Sequence, residues 1–256
     1  MKAVAESPDG KEALAHFATT RWSLIRDGGA LGGSKANSGL AQLCQIYWRP
    51  IFSFIYRRGY SAQDAQDLTQ DFFVVLLEGS LLQVADPARG RFRSLLIKSL
   101  QNFLIDAQVK SRTQKRGGDM QFVSWEKWMA ETPGQFSISA QALETAPPEA
   151  LFDLSWAAAV AEEALRRLRL ECESKGRRRV YEVLGSYLNT ERDDISYHDL
   201  SVALGVPEPS VKSLLHQFRK RYRALLREEV AKTVASDADV DDEIRYLCAT
   251  LSTGGG

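Results

Sequence analysis

Between Leu40 and Gly59 apolar side chains return every three or four positions, at Leu40, Leu43, Cys44, Ile46, Tyr47, Ile51, Phe54 and Ile55. That is the period of a helix with one buried face. Pro50 falls inside the run and predicts a kink or a break, so the segment reads as one buried helix or two. Ser61 is placed to cap the next helix, Asp64 reinforces the cap three residues on, and Leu68, Phe72, Val75 and Leu76 face inward until Gly79. Turn chemistry in Asp86-Pro87-Ala88-Arg89-Gly90-Arg91 then opens a third long helix, from Phe92 to about Arg112, with Leu95, Leu96, Ser99, Phe103 and Ala107 on one side.

The helical period breaks from Gly117 to Pro148, where Gly117-Gly118, Pro133 and Pro147-Pro148 predict a linker. Trp125 and Trp128 are costly to expose, so this linker is expected to pack in part. Periodicity returns with Leu154, Ala158, Ala161, Leu165 and Leu168, and again with Val180, Val183, Leu184, Tyr187 and Leu188 after the basic turn Lys175-Gly176-Arg177-Arg178-Arg179. No segment shows sustained two-residue alternation between hairpin turns. The predicted fold class is therefore all-α, with two helical domains joined by a long linker. The expected divisions are an N-terminal extension (1–39), a first helical domain (40–117), a linker (118–150), a second helical domain (151–235) and an acidic tail (236–256).

Within the second domain, Tyr197 to Leu204 predicts a short helix that Gly205 can stop, because glycine takes the left-handed turn at low steric cost. Pro207 and Pro209 suit the approach and first turn of a second helix, on which Val211, Leu214, Leu215, Phe218, Tyr222, Leu225 and Leu226 form one apolar stripe. This is the pattern of a helix-turn-helix. The remaining positions, Ser210, Lys212, Ser213, His216, Gln217, Arg219, Lys220 and Arg223, mix base-reading and phosphate-neutralising groups on the helix that would enter a major groove. An ordinary helical hairpin with a solvated basic face fits the same spacing.

Thirty-three Lys and Arg balance thirty-three Asp and Glu over 256 residues, so the total charge points to no polyanionic partner. Locally the picture changes. Between Arg89 and Arg116 lie Arg89, Arg91, Arg93, Lys98, Lys110, Arg112, Lys115 and Arg116 against the single acid Asp106, with Gln101, Asn102, Phe103 and Gln108 interleaved. Such a face can track phosphates and meet unstacked bases, or it can be solvated surface. The preceding helix carries the opposite sign at Asp64, Asp67 and Asp71, beside Gln70, which suits a partner surface, ordinary first-turn acids or, with no neighbouring histidine in support, paired carboxylates for acid/base or metal chemistry. Beyond Ser236 acids again dominate, at Asp237, Asp239, Asp241, Asp242 and Glu243. A short amphipathic segment follows (Ile244, Leu247, Cys248, Leu251), and the chain ends in flexible Thr253-Gly254-Gly255-Gly256. Folding of this tail back onto a basic face is one expectation from the sign reversal.

Cys44, Cys172 and Cys248 are far apart and lack metal-ligand spacing, so neither a zinc ribbon nor a disulfide framework is indicated. His16 and His198 have no evident nucleophile partner, no Walker lysine or nucleophile elbow occurs, and the Gly28-to-Gly33 run lacks the strand of a dinucleotide fingerprint. No enzymatic centre and no cofactor is expected. With no apolar run of transmembrane length and no signal-peptide core, a cytoplasmic chain without membrane insertion is expected.

The order of segments adds a resemblance. Asp64-Ala65-Gln66-Asp67-Leu68-Thr69-Gln70-Asp71-Phe72-Phe73, then Phe92-Arg93-Ser94-Leu95-Leu96, Asn102-Phe103-Leu104-Ile105-Asp106 and Val211-Lys212-Ser213-Leu214-Leu215-His216 resemble a bacterial RNA polymerase sigma factor of the extracytoplasmic-function group. Phe17-Ala18-Thr19-Thr20-Arg21-Trp22-Ser23-Leu24, Gln114-Lys115-Arg116-Gly117-Gly118 and Val240-Asp241-Asp242-Glu243-Ile244-Arg245-Tyr246-Leu247 are similar to the subset abundant in planctomycete-like bacteria. The resemblance implies that Asp67, Gln70 and Asp71 dock on the β′ clamp helices of core RNA polymerase, and that the β flap is a second contact. It implies that Arg93, Lys98, Asn102, Lys110, Arg112, Lys115 and Arg116 meet the melted minus-10 promoter element. Ser210, Lys212, Ser213, His216, Gln217, Arg219 and Lys220 would then face the minus-35 element as duplex. An anti-sigma factor is a further candidate partner. A free-standing helix-turn-helix regulator and a helical protein-interaction scaffold remain alternatives on the residues themselves.

Overall fold

Residues 34–78, 92–111, 144–234 and 237–254 are described by the structure, a computed structural model, and among them no strand occurs. Helix α1 spans Ser34–Arg57 and runs unbroken through Pro50, so one helix forms rather than two. Ile51, Phe52, Phe54 and Ile55 beyond the proline are all buried, and this packing holds the helix together where the missing amide favours a break. Helix α2 spans Ala62–Glu78. At its start Ser61 Oγ accepts from the Asp64 amide at 3.1 Å and donates to Asp64 Oδ2 at 2.7 Å, the reciprocal cap its sequence predicts. Its buried face is Ala65, Thr69, Phe72, Phe73 and Leu76; Val75, expected inside, is half exposed because the stripe turns toward Phe73, which stacks on Trp48 of α1.

Helix α3 spans Phe92–Ser111 and buries Phe92, Leu96, Leu100 and Leu104, a row at every fourth residue. Of the face expected from the sequence, Leu96 belongs to that row, and Leu95, Ser99, Phe103 and Ala107 lie beside it and are only partly covered. Edge-on aromatic contacts hold the helix, Phe92 against Tyr47 at 5.4 Å and Phe103 against Phe72 at 5.4 Å.

Pro147-Pro148 acts as a helix start rather than as linker: Pro147 is the N-cap and Pro148 the first residue of α4, which spans Pro148–Ser174. Leu151, Phe152, Leu154, Ser155, Trp156, Ala157, Ala158, Val160 and Ala161 of α4 are buried, which leaves its first half almost no solvent face. These residues pack on α1, where Ser155 Oγ donates to Ser53 Oγ at 3.1 Å. The second half buries Leu165, Leu168 and Cys172 against the following helices. The division expected at residue 150 therefore does not coincide with a break in packing, since one helix carries a single continuous apolar cluster from α1 to the C-terminal elements.

Helix α5 (Arg178–Leu184) continues into a short 3-10 turn at Gly185–Tyr187. It leads to α6 (Tyr197–Leu204) and the long α7 (Glu208–Ala231). The acidic tail is not a solvated extension. Val240–Gly254 forms helix α8, which includes Thr253 and Gly254, and buries Val240, Glu243 and Leu247 against α4 and α7. Its apolar face explains this, and Cys248 of the expected amphipathic set lies on the exposed side.

Trp156, fully buried between elements, is the test of this arrangement. Trp156→Ala is expected to lower the unfolding free energy by about 3–5 kcal/mol. Val202→Ala, at an exposed site, is expected to change it by less than about 0.5 kcal/mol. Urea denaturation of the two variants checks this.

Candidate nucleic-acid interface

The turn between α6 and α7 is built locally. Ser196 caps α6 by accepting from the Asp199 amide at 3.3 Å, and Gly205 ends it in the left-handed region at φ 67°. The Gly205 and Val206 amides both donate to the Ser201 carbonyl, at 2.9 and 3.2 Å. Ser201 Oγ then donates to the Val206 carbonyl at 2.6 Å, a bond across the turn. Arg179 Nε donates to Ala203 O at 2.9 Å, placing a cation at the C-terminal end of α6 where the helix dipole favours it.

Helix α7 turns Val211, Leu215, Phe218, Tyr222, Leu225 and Leu226 inward. Phe218 meets the Tyr181 ring edge-on at 6.1 Å, which sets the helix against α5. Ser210, Lys212, Ser213, His216, Gln217, Lys220 and Arg223 are exposed. Lys212 Nζ lies 5.0 Å from the Tyr197 ring centroid, a contact that orients its charge without neutralising it.

Arg219 departs from its expected role. It is half-buried, and its guanidinium donates to Tyr187 O at 3.1 and 2.6 Å and to Thr190 O at 2.6 Å. Those carbonyls follow α5, so Arg219 ties α7 to that loop rather than reading a base. Gln217 also lines a cleft of about 210 Å³ between α4, α5 and α7, together with Leu168, Val180, Lys175, Arg177 and Arg221. Sequence pattern does not point to this cleft, because its walls come from three separate helices.

Along α3, Lys98 and Asn102 are exposed as expected. Ile105 and Val109, at 60% and 62% exposure, continue the same stripe and make it apolar toward the C-terminus. Arg93 is a correction. It is buried, paired with Glu243 at 2.8 Å and Asp153 at 3.4 Å, and cannot meet a phosphate in this arrangement. Arg112, Lys115, Arg116 and the Lys110 side chain lie outside the described residues.

On α2, Asp71 is exposed and Asp67 and Gln70 are half-buried, one turn apart on one face. Burial, with the nearby Asp71 and Asp64 carboxylates, holds the Asp67 carboxyl above its ordinary range. Val74 and Val75, each about half exposed, extend the outer surface by one turn.

Among the described residues no group of three His, Cys, Asp or Glu is arranged to hold a metal ion, and no helix is long and apolar enough to cross a membrane. No family model, no curated protein and no solved structure matches this chain.

The division of labour on α7 is measurable by thermal unfolding. Arg219→Ala leaves carbonyls without their donor and is expected to cost about 1–3 kcal/mol. Lys212→Ala and Lys220→Ala, both at exposed sites, are expected to change stability by less than about 0.5 kcal/mol.

Proposed function

We propose that this chain is a sigma factor of the extracytoplasmic-function type: a non-enzymatic cytoplasmic protein that binds core RNA polymerase and directs it to promoters. The observation that carries the reading is the outward polar stripe of α7, in which Ser210, Lys212, Ser213, His216, Gln217 and Lys220 are exposed on the second helix of a helix-turn-helix. Side chains of this kind recognise duplex DNA, here the minus-35 element, with lysines on phosphates and Ser, His and Gln at base edges. Lys98 and Asn102 of α3 take the minus-10 single strand, and Asp67, Gln70 and Asp71 of α2 take the polymerase clamp helices. Two weak DNA contacts made by one polymerase-bound chain give avidity that neither has alone.

Co-elution with bacterial core RNA polymerase tests the reading. The native chain is expected to co-elute, and the triple variant Asp67→Ala, Gln70→Ala, Asp71→Ala is expected to lose the complex while keeping its helical circular dichroism. A native chain that ignores core polymerase yet shifts duplex DNA tightly by itself is instead a free-standing regulator. One that binds neither, at any salt concentration, is a protein-interaction scaffold.

A further inference from the structure

Helix α8 makes charge contacts with both of the helices assigned to DNA. Glu243, with its side chain 2% exposed, meets Arg93 of α3 at 2.8 Å. Asp241 pairs with Arg227 near the C-terminal end of α7. The Arg93 guanidinium is also packed between rings, 4.8 Å from the Trp156 centroid on α4 and 4.1 Å from that of Tyr246 on α8. Tyr246 Oη donates to Asp153 Oδ2 at 2.5 Å, and Asp153 in turn faces Arg93. Four groups from two helices, α4 and α8, thus enclose one cation of a third.

Arg93 sits in the first turn of α3, where the helix dipole disfavours a positive charge. Burial adds to that cost unless carboxylates are close. Glu243 supplies one of them from α8, which is anchored by buried Val240 and Leu247. Asp241, bound to Arg227, and Asp242, paired with Arg245 of α8 itself, lie on the exposed side of α8.

We propose that α8 is an autoinhibitory clamp: Glu243 withholds Arg93 from nucleic acid, and the carboxylates of α8 offset cations of α3 and α7 until the helix is displaced. The proposal rests on the nucleic-acid reading of α3 and α7. Displacement frees Arg93 of Glu243 and leaves Arg227, already half exposed, without Asp241, so that phosphates can replace the carboxylates that held them.

The experiment uses the full chain with Glu243→Gln and Asp241→Asn combined, near-isosteric changes that keep the apolar anchors of α8. Binding to a fluorescent single-stranded oligonucleotide and to a duplex is followed by anisotropy over a range of salt. Expected are tighter binding and a steeper fall of log K with log salt, by about 0.7 for each further phosphate neutralised on a single strand. Asp241→Asn alone changes an exposed site that folding tolerates, and is expected to move binding in the same direction if the double variant fails to fold. Glu191→Gln, an exposed acid outside α8, controls for the loss of one charge and is expected to have no comparable effect. A wild-type chain that binds DNA, with folded α8 variants that bind no better than the control, overturns the clamp alone. Absence of salt-dependent binding in every form overturns the nucleic-acid reading and the clamp with it.

Discussion

Through its first half helix α4 has almost no solvent side. Leu151, Phe152, Leu154, Trp156 and Val160 project in all directions, and Ala157, Ala158, Ala161 and Ala164 between them are buried as well. A helix apolar all round needs neighbours all round. Alanine keeps its surface thin enough for α1 to approach closely, while Trp156 fills the wider space toward the Arg93 guanidinium of α3. Every later feature follows from this demand: α1 covers one side, α7 and α8 cover others, and α5 and α7 are carried on the C-terminal half of the same rod.

Apolar burial alone does not decide which neighbour sits where, and α4 also carries charges matched to particular partners. Glu162 receives Arg49 of α1 at 2.9 Å, Asp153 faces Arg93 of α3, Arg167 meets Glu229 of α7 at 2.6 Å, and Glu171 meets Arg221 of α7 at 2.5 Å. Glu229 has no exposed surface, and Lys232 pairs with it from the next turn. Burial pushes the Glu162 carboxyl up even as Arg49 pulls it down, so desolvation consumes much of what the pair contributes. Such pairs add little net stability, but a misplaced neighbour leaves a charge buried alone, which is far more costly. They fix register, and the apolar faces supply the energy.

Features set by neighbouring residues are legible in the sequence. The Ser61 cap, the Gly205 turn, the inward stripe of α7 and the amphipathic segment after Ser236 all appear where local chemistry puts them. What is not legible depends on which distant group meets which. Periodicity marks Arg93 and Arg219 as polar positions on helices, and nothing local says that Glu243 and Asp153, or two carbonyls after α5, wait opposite them. Pro147-Pro148 reads equally as a breaker and as a helix start, and only the apolar surface of α4 behind it selects the second. Val75 lies outside although the period puts it inside, because the stacking of Phe73 on Trp48 rotates α2 so that Phe73 is buried and Val74 and Val75 are both left about half exposed.

Zero net charge conceals cations of two kinds, those held in the packing, Lys232 against buried Glu229 among them, and those left outward, Arg223 among them. Arg49, Arg93, Arg167, Arg219 and Arg221 each hold a carboxylate or carbonyl within the packed elements. Lys98, Lys212 and Lys220 stand outward. The guanidinium is a rigid planar fork that rewards fixed acceptors and tolerates partial burial; the ammonium is a strongly hydrated point charge on a long stem, suited to a phosphate whose position is not fixed in advance. A count of basic residues along α3 or α7 therefore overstates the charge available to a polyanion. The surface that remains on α7 joins adaptable lysines to short hydroxyls, an imidazole and an amide on one helix.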